Sequence, residues 1–162
     1  TSVHEYPTSE EMSEIAISAA RVVRLFGFDP KVAFVSHSTF GQPVTSRTKH
    51  IRKAVDILRE KNVDFKFDGD MQPDVALNKE YKNLYPFSNI VGNANILIMP
   101  GQHSAAISYK MMKELGDTKV IGPLLIGLGL PIEIAPLRTS TSELINLASI
   151  AAYSADVIDY KK

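Results

Sequence analysis

The residue types best suited to chemistry stand in three groups. The first is Ser36-His-Ser-Thr-Phe-Gly41, which follows the apolar run Lys31-Val-Ala-Phe-Val35. In open α/β sheets, ligands bind beyond the carboxyl ends of strands, often at the start of the next helix. The hydroxyls and amides of Ser36, Ser38, Thr39 and Gly41 could hold a phosphate there, and a plain polar turn accounts for the same residues. Neither G-x-x-x-x-G-K-[ST] nor G-x-G-x-x-G is present, so the loop offers no nucleotide site of those two kinds. The second group is the basic run Arg47, Lys49, His50, Arg52 and Lys53. On a helix, Lys49, Arg52 and Lys53 fall opposite Ile51, Ala54 and Leu58, so a solvated face explains them; anion contact is the sharper alternative. The third group is Asp68, Asp70 and Asp74. Three carboxylates so close suit Mg²⁺, but their spacing departs from the EF-hand loop, and turns or helix caps use aspartate in the same way.

Much chemistry is excluded. The chain has no cysteine, which removes disulfides, thiolate metal sites and a cysteine nucleophile and fits a reducing compartment. His4, His37, His50 and His103 show no paired spacing of the H-E-x-x-H kind, so no metal site is expected. G-x-S-x-G is absent as well. With 18 basic and 18 acidic residues the net charge is zero, without the basic excess expected of a protein that neutralises nucleic-acid phosphates. The longest apolar-rich stretch, Val120 to Ile134, is broken by Gly122, Pro123, Gly127, Gly129 and Pro131. It cannot supply the roughly 20 apolar residues that cross a bilayer. No nucleic acid or membrane partner is therefore expected, and with no secretory signal at the start the expected location is cytoplasmic. The first residue is Thr1, which suggests a processed or cut piece of a longer chain.

A length of 162 residues and 44% apolar content predict one packed domain of ordinary size. Thr8-Ser-Glu-Glu11 has the capping-box pattern, and Met12, Ile15, Ala16, Ala19, Val22, Val23 and Phe26 continue as one helical stripe ended by Gly27. Lys31–Val35 is apolar on both faces, as in a central parallel strand. A helix is predicted over 45–61, a strand at Phe65-Lys-Phe67, a turn at Asp68-Gly69 and a short helix from Pro73 to Leu77. Ala94–Met99 reads as a second buried strand, followed by a helix from about Ser104 to Leu115. Strand pieces are expected within Val120–Leu130 and at Ile132-Glu-Ile134. A last helix begins at Ser140, where Ser140-Thr-Ser-Glu143 repeats the capping box. Helices alternating with strands argue for an α/β fold with a mostly parallel sheet covered on both faces.

The ordered set of segments resembles the phosphate acetyl/butyryltransferase family. The segments are Val32–Ser36 with Ser38-Thr39-x-Gly41, Phe67–Gln72 with Asp74, Ala94–Pro100, Ile107-x-Tyr109-Lys110, Ile121–Gly127 and Glu143–Asn146. Leu84-Tyr-Pro-Phe-Ser88, Met99–Ala105 and Ala135-Pro-Leu137 are closer still to the phosphotransacetylase-like C-terminal portion of large bacterial NADP-dependent malic enzymes. The resemblance implies a three-layer helix–sheet–helix fold of the isocitrate/isopropylmalate dehydrogenase-like kind. Residues 1–134 would be the second subdomain of a phosphotransacetylase-like unit, and 135–162 a closing segment returning towards a missing first subdomain. In those malic enzymes the N-terminal part carries NADP, a divalent metal and the oxidative decarboxylation of malate to pyruvate. The C-terminal part is associated with acetyl-CoA sensing and oligomer assembly.

Departures from active transferases accompany the resemblance. Their pattern of Lys-Pro, then Leu-Ser-Arg-Gly, then an acid meets Leu130, Pro136-Leu137 and Glu143 here, with Arg138 displaced by one residue. The Asn expected after Met99-Pro100 is Gly101. The expectation is thus a non-catalytic, homodimeric regulatory domain in the same chain as a malic enzyme domain. Acetyl-CoA would be its effector, held by Ser36, Ser38, Thr39, Gly41, Arg138 and Ser140. The alternative is an active transferase moving an acyl group between CoA and phosphate, with Glu143 as acid/base and Arg138 as anion clamp. A third reading is pure scaffold.

Overall fold

The first helix, α1 (Ser9–Leu25), starts as its sequence dictates. Thr8 Oγ1 accepts the Glu11 amide at 3.1 Å, and Glu11 Oε2 accepts the Thr8 amide at 2.7 Å. Its buried face is Met12, Ala16 and Ala20, and Gly27, at φ +81°, turns the chain away after the last turn. The structure is a computed structural model that describes residues 4–116, 119–128 and 130–157. The chain forms two units, residues 1–108 and 109–162.

In the first unit a three-stranded parallel sheet runs in the order β2 (Lys66–Met71), β1 (Lys31–Val35), β3 (Ile96–Ile98). Val32 and Phe34 of β1, with Ile96 and Ile98, pack under α1 and under Ile51, Ala54, Val55 and Leu58 of α2 (Ser46–Glu60). The opposite face presents Ala33, Val35 and Met71 to Val75 and Ala76 of α3 (Pro73–Leu77) and to Ile90 and Val91. Burial on both faces explains why β1 carries no alternating polar residues. Asn95 fastens the start of β1: its side chain accepts the Lys31 amide and donates to the Asp29 carbonyl, each at 2.8 Å. A 3-10 turn at Lys79–Asn83 follows α3, and α4 (Gln102–Leu115) follows β3.

The second unit contains α5 (Thr141–Val157). Among the described residues, the segment before α5 forms one antiparallel bridge, Leu124 to Glu133, in place of the expected strand pieces. Five glycines and prolines in that stretch interrupt the ladder a strand would need. Asp68-Gly69 is not a turn either. Both residues lie inside β2, with Asp68 in register with Ala33 and Gly69 in register with Phe34. Glycine is required there because a Cβ would lie 2.7 Å from the Phe34 carbonyl oxygen and 2.8 Å from its Cβ. No helix among the described residues is long and apolar enough to cross a membrane.

Candidate functional site

The carboxyl end of β1 runs into a tightly bonded hydroxyl loop. The Ser36 amide continues the ladder by donating to the Met71 carbonyl at 2.9 Å. Ser36 Oγ accepts the Ser38 amide at 3.3 Å, and the Ser38 hydroxyl donates to Asp70 Oδ2 at 2.6 Å. The Phe40 amide donates to the Asp70 carbonyl at 2.6 Å. Thr39 Oγ1 accepts the Gln72 amide at 3.2 Å, and Gln72 Nε2 donates to the His37 carbonyl at 2.9 Å. The end of β2 thus clasps the loop from beneath. Ser38 and Asp70 are fully buried, Ser36 nearly so, while His37 is exposed and Thr39 half-buried. The Ser38 hydroxyl is turned inward, so Ser36, Thr39 and the loop backbone are the groups nearer to solvent. Asp70 Oδ1 has no hydrogen-bond partner, which is uncommon for a buried polar atom.

Two contacts of this loop leave no local pattern in the sequence. Arg52 is exposed, as a solvated helix face requires, and its guanidinium also rests on the open side of Gly41, where a Cβ would lie 2.4 Å from Nη1. Phe40, at φ +50°, packs edge-on to Phe87 with ring centroids 4.8 Å apart and lies 5.3 Å from Tyr85. Phe87 remains largely exposed. The signal was present in Leu84-Tyr-Pro-Phe-Ser88, but no local pattern connects that segment to residue 40. Of the three aspartates, Asp68 accepts the Gly69 amide at 2.9 Å and sits 3.6 Å from Arg59 Nη2, while Asp74 bonds the Tyr81 hydroxyl and raises its pKa. Among the described residues, no group of three or more His, Asp or Glu side chains is placed to hold a metal.

In the second unit Arg138, Thr139 and Glu143 line a small pocket of ≈ 60 Å³ with Lys113, Pro136 and Leu147. Ser140 stands at its edge as the cap of α5. Its amide and hydroxyl donate to Glu143 Oε2 at 2.7 and 2.8 Å, and its oxygen accepts the Glu143 amide at 3.3 Å. Lys113 Nζ lies 3.4 Å from Glu143 Oε1. The Ser140 amide, then its hydroxyl, then Lys113 hold the Glu143 pKa below its ordinary value. A general base near neutral pH needs the opposite shift, so this carboxylate is ionised but weakly basic. Leu137 is fully exposed. Burial raises the pKa of Glu133, partly countered by the Leu125 amide.

The lowered pKa of Glu143 has a signed consequence. Its folded value lies below the unfolded value of about 4.3, so the stabilisation is complete above that pH and is lost as pH falls through the folded value. Glu143→Gln is expected to flatten the loss of stability below about pH 4.3. Urea midpoints at neutral and acidic pH check this, and parallel curves for the two proteins would contradict it.

The chain belongs to the family described as phosphate acetyl/butaryl transferase, whose model matches residues 1–152. Among curated relatives, an NADP-dependent malic enzyme of Rhizobium meliloti is 50% identical over 155 residues, covering 96% of this chain and 20% of that enzyme. A phosphate acetyltransferase of Clostridium acetobutylicum is 34% identical over 155 residues, covering 94% of this chain and 46% of that protein. A solved phosphotransacetylase from Streptococcus pyogenes superposes with a TM-score of 0.90 at 33% identity, over 96% of this chain and 47% of that one. The chain therefore spans about a fifth of the malic enzyme and just under half of the transferases. It is a phosphotransacetylase-like domain matching part of the NADP-dependent malic enzymes.

Proposed function

We propose that this domain is the non-catalytic, C-terminal regulatory and oligomerising part of a cytoplasmic NADP-dependent malic enzyme, with acetyl-CoA as its effector. The observation that carries the reading is the chemistry of positions 136–143. Pro136 and Leu137 have no group to polarise an acyl phosphate, and Glu143 is engaged by Ser140 and Lys113. NADP, the divalent metal and malate belong to an N-terminal malic enzyme domain of the same polypeptide, outside these 162 residues. Two sets of groups, each within its own unit, are assigned to the effector: Ser36, Ser38, Thr39 and Gly41 in the first, Arg138 and Ser140 in the second. Ser38 acts by fixing the loop, because its hydroxyl is spent on Asp70. Regulation then follows from linkage, with acetyl-CoA preferring one state of the assembly. Exposed Leu144, Ile145 and Tyr153 on α5 support a homodimer contact.

The test uses the full-length enzyme. Malate oxidation is expected to respond to acetyl-CoA, and Arg138→Ala to weaken that response by about 10- to 150-fold in effector concentration, the value of a charge-assisted bond of roughly 1.5–3 kcal/mol. Light scattering is expected to show a dimer or a larger assembly. A parent enzyme indifferent to acetyl-CoA leaves the scaffold role and refutes the effector. The family and the superposition on a phosphotransacetylase favour one other reading, an active acyltransferase. Acetyl phosphate formation from acetyl-CoA at about 1 s⁻¹ or faster would establish it in place of ours.

A further inference from the structure

The amino ends of the strands, at the opposite end of the sheet from Ser36, carry a second polar feature. Lys31 opens β1 and Lys66 opens β2, and the two are paired in register. Register partners on adjacent parallel strands project from the same face, so the two lysine side chains leave the sheet as neighbours of like charge. Both line an open depression of ≈ 380 Å³ together with Lys82, Asn83, Asn89 and Asn93. None of its lining residues is acidic, and among the described residues none of the three lysines is in a salt bridge. Arg24, Lys53, Arg59 and Lys61 on α1, α2 and the end of α2 all have carboxylate partners.

We propose that this depression is an anion site for a ligand carrying two or more linked phosphates. Three lysines supply the charge, and Asn83 and Asn89 supply neutral donors, while Asn93 Nδ2 already donates to the Val91 carbonyl at 3.2 Å. Lysine ammonium groups on flexible stems act as point charges and suit phosphate without requiring a planar fork. The volume exceeds what a single phosphate fills. A single exposed charge pair contributes little, so appreciable affinity needs one ligand that engages several lysines at once. The site lies at the other end of the sheet from Ser36–Gly41, and the inference does not rest on the acetyl-CoA assignment.

Calorimetry on the full-length protein with inorganic pyrophosphate tests it. Pyrophosphate is expected to bind at least about tenfold more tightly than orthophosphate, with affinity falling as salt rises. Lys66→Gln and, separately, Lys82→Gln are each expected to weaken pyrophosphate about fivefold. Lys66→Gln is further expected to raise the thermal midpoint without anion, because it relieves the Lys31–Lys66 repulsion, which also shows that the variant folds. Arg138→Ala is expected to leave pyrophosphate binding unchanged. Equal or undetectable binding of the two phosphates, or unaltered affinity in both lysine variants, would overturn the proposal. So would citrate binding as tightly as pyrophosphate, which would mark the site as a general anion patch. Because CoA itself carries a diphosphate, the acetyl-CoA response of the full-length enzyme is measured in the same lysine variants: it is expected to be unchanged, and its loss there would assign the depression to the effector and overturn a separate site.

Discussion

Gly69→Ala is expected to lower the unfolding free energy by about 3–5 kcal/mol, enough to threaten a domain of ordinary stability. Two costs combine. Gly69 has φ +153°, a backbone conformation that side-chain-bearing residues rarely adopt. Its new methyl group would also meet the Phe34 carbonyl oxygen at 2.7 Å and the Phe34 Cβ at 2.8 Å. Phe34 is fully buried at the centre of the sheet, between Gly69 of β2 and Ile98 of β3. Its backbone cannot retreat without disturbing both ladders, and interiors are packed too closely to absorb such a shift. Gly27→Ala is the control. That glycine also has positive φ, +81°, but nothing lies within 4 Å of a Cβ there. It is expected to cost only about 1 kcal/mol, the conformational part alone. Denaturant unfolding of both variants separates the terms, and equal losses would show that the contact with Phe34 does not matter.

The same position shows where the sequence is legible and where it is not. α1 and α5 could be placed because their signals are local: a hydroxyl, a carboxylate three residues on, and a stripe of apolar residues. The hydrogen bonds Thr8–Glu11 and Ser140–Glu143 answer those signals directly. β1 was legible because burial on two faces leaves an unbroken apolar run. Asp68-Gly69 reads as a turn by its own chemistry, since that dipeptide suits reversals. The structure keeps it in a strand because the requirement comes from Phe34, thirty-odd residues away, which leaves no trace in the local pattern. Val120–Ile134 failed for the opposite reason. Its apolar content resembles strands, but closely spaced glycines and prolines work against an extended ladder, and among the described residues one bridge forms. At the candidate site, the position of the loop Ser36–Gly41 is legible from its place after a strand. The roles within it are not, because Ser38, Asp70, Arg52 and Phe87 meet only through the fold.

Asp70→Ala is expected to cost about 2–4 kcal/mol, while Asp70→Asn stays within about 1 kcal/mol of the parent. Asp70 is fully buried and holds the loop by two routes: its side chain accepts the Ser38 hydroxyl, and its carbonyl accepts the Phe40 amide. Alanine keeps the second bond and removes the first. Ser38 is itself fully buried, so its hydroxyl would be left without an acceptor, which costs about 1–3 kcal/mol, and the lost carboxyl leaves a small void beside it. Asparagine retains an oxygen at the Oδ2 position for Ser38. Its amide would occupy the place of Oδ1, which already lacks a partner, so it exchanges one unsatisfied atom for another. Local order should follow the same ranking. Hydrogen exchange at the Ser38 and Phe40 amides is expected to accelerate in Asp70→Ala and to remain near the parent rate in Asp70→Asn. If both variants lose the same stability, the hydroxyl bond is not what Asp70 contributes. If both are neutral, the loop is fixed by the backbone bonds from Ser36 to Met71 and from Phe40 to residue 70, and the buried carboxyl is dispensable to the fold.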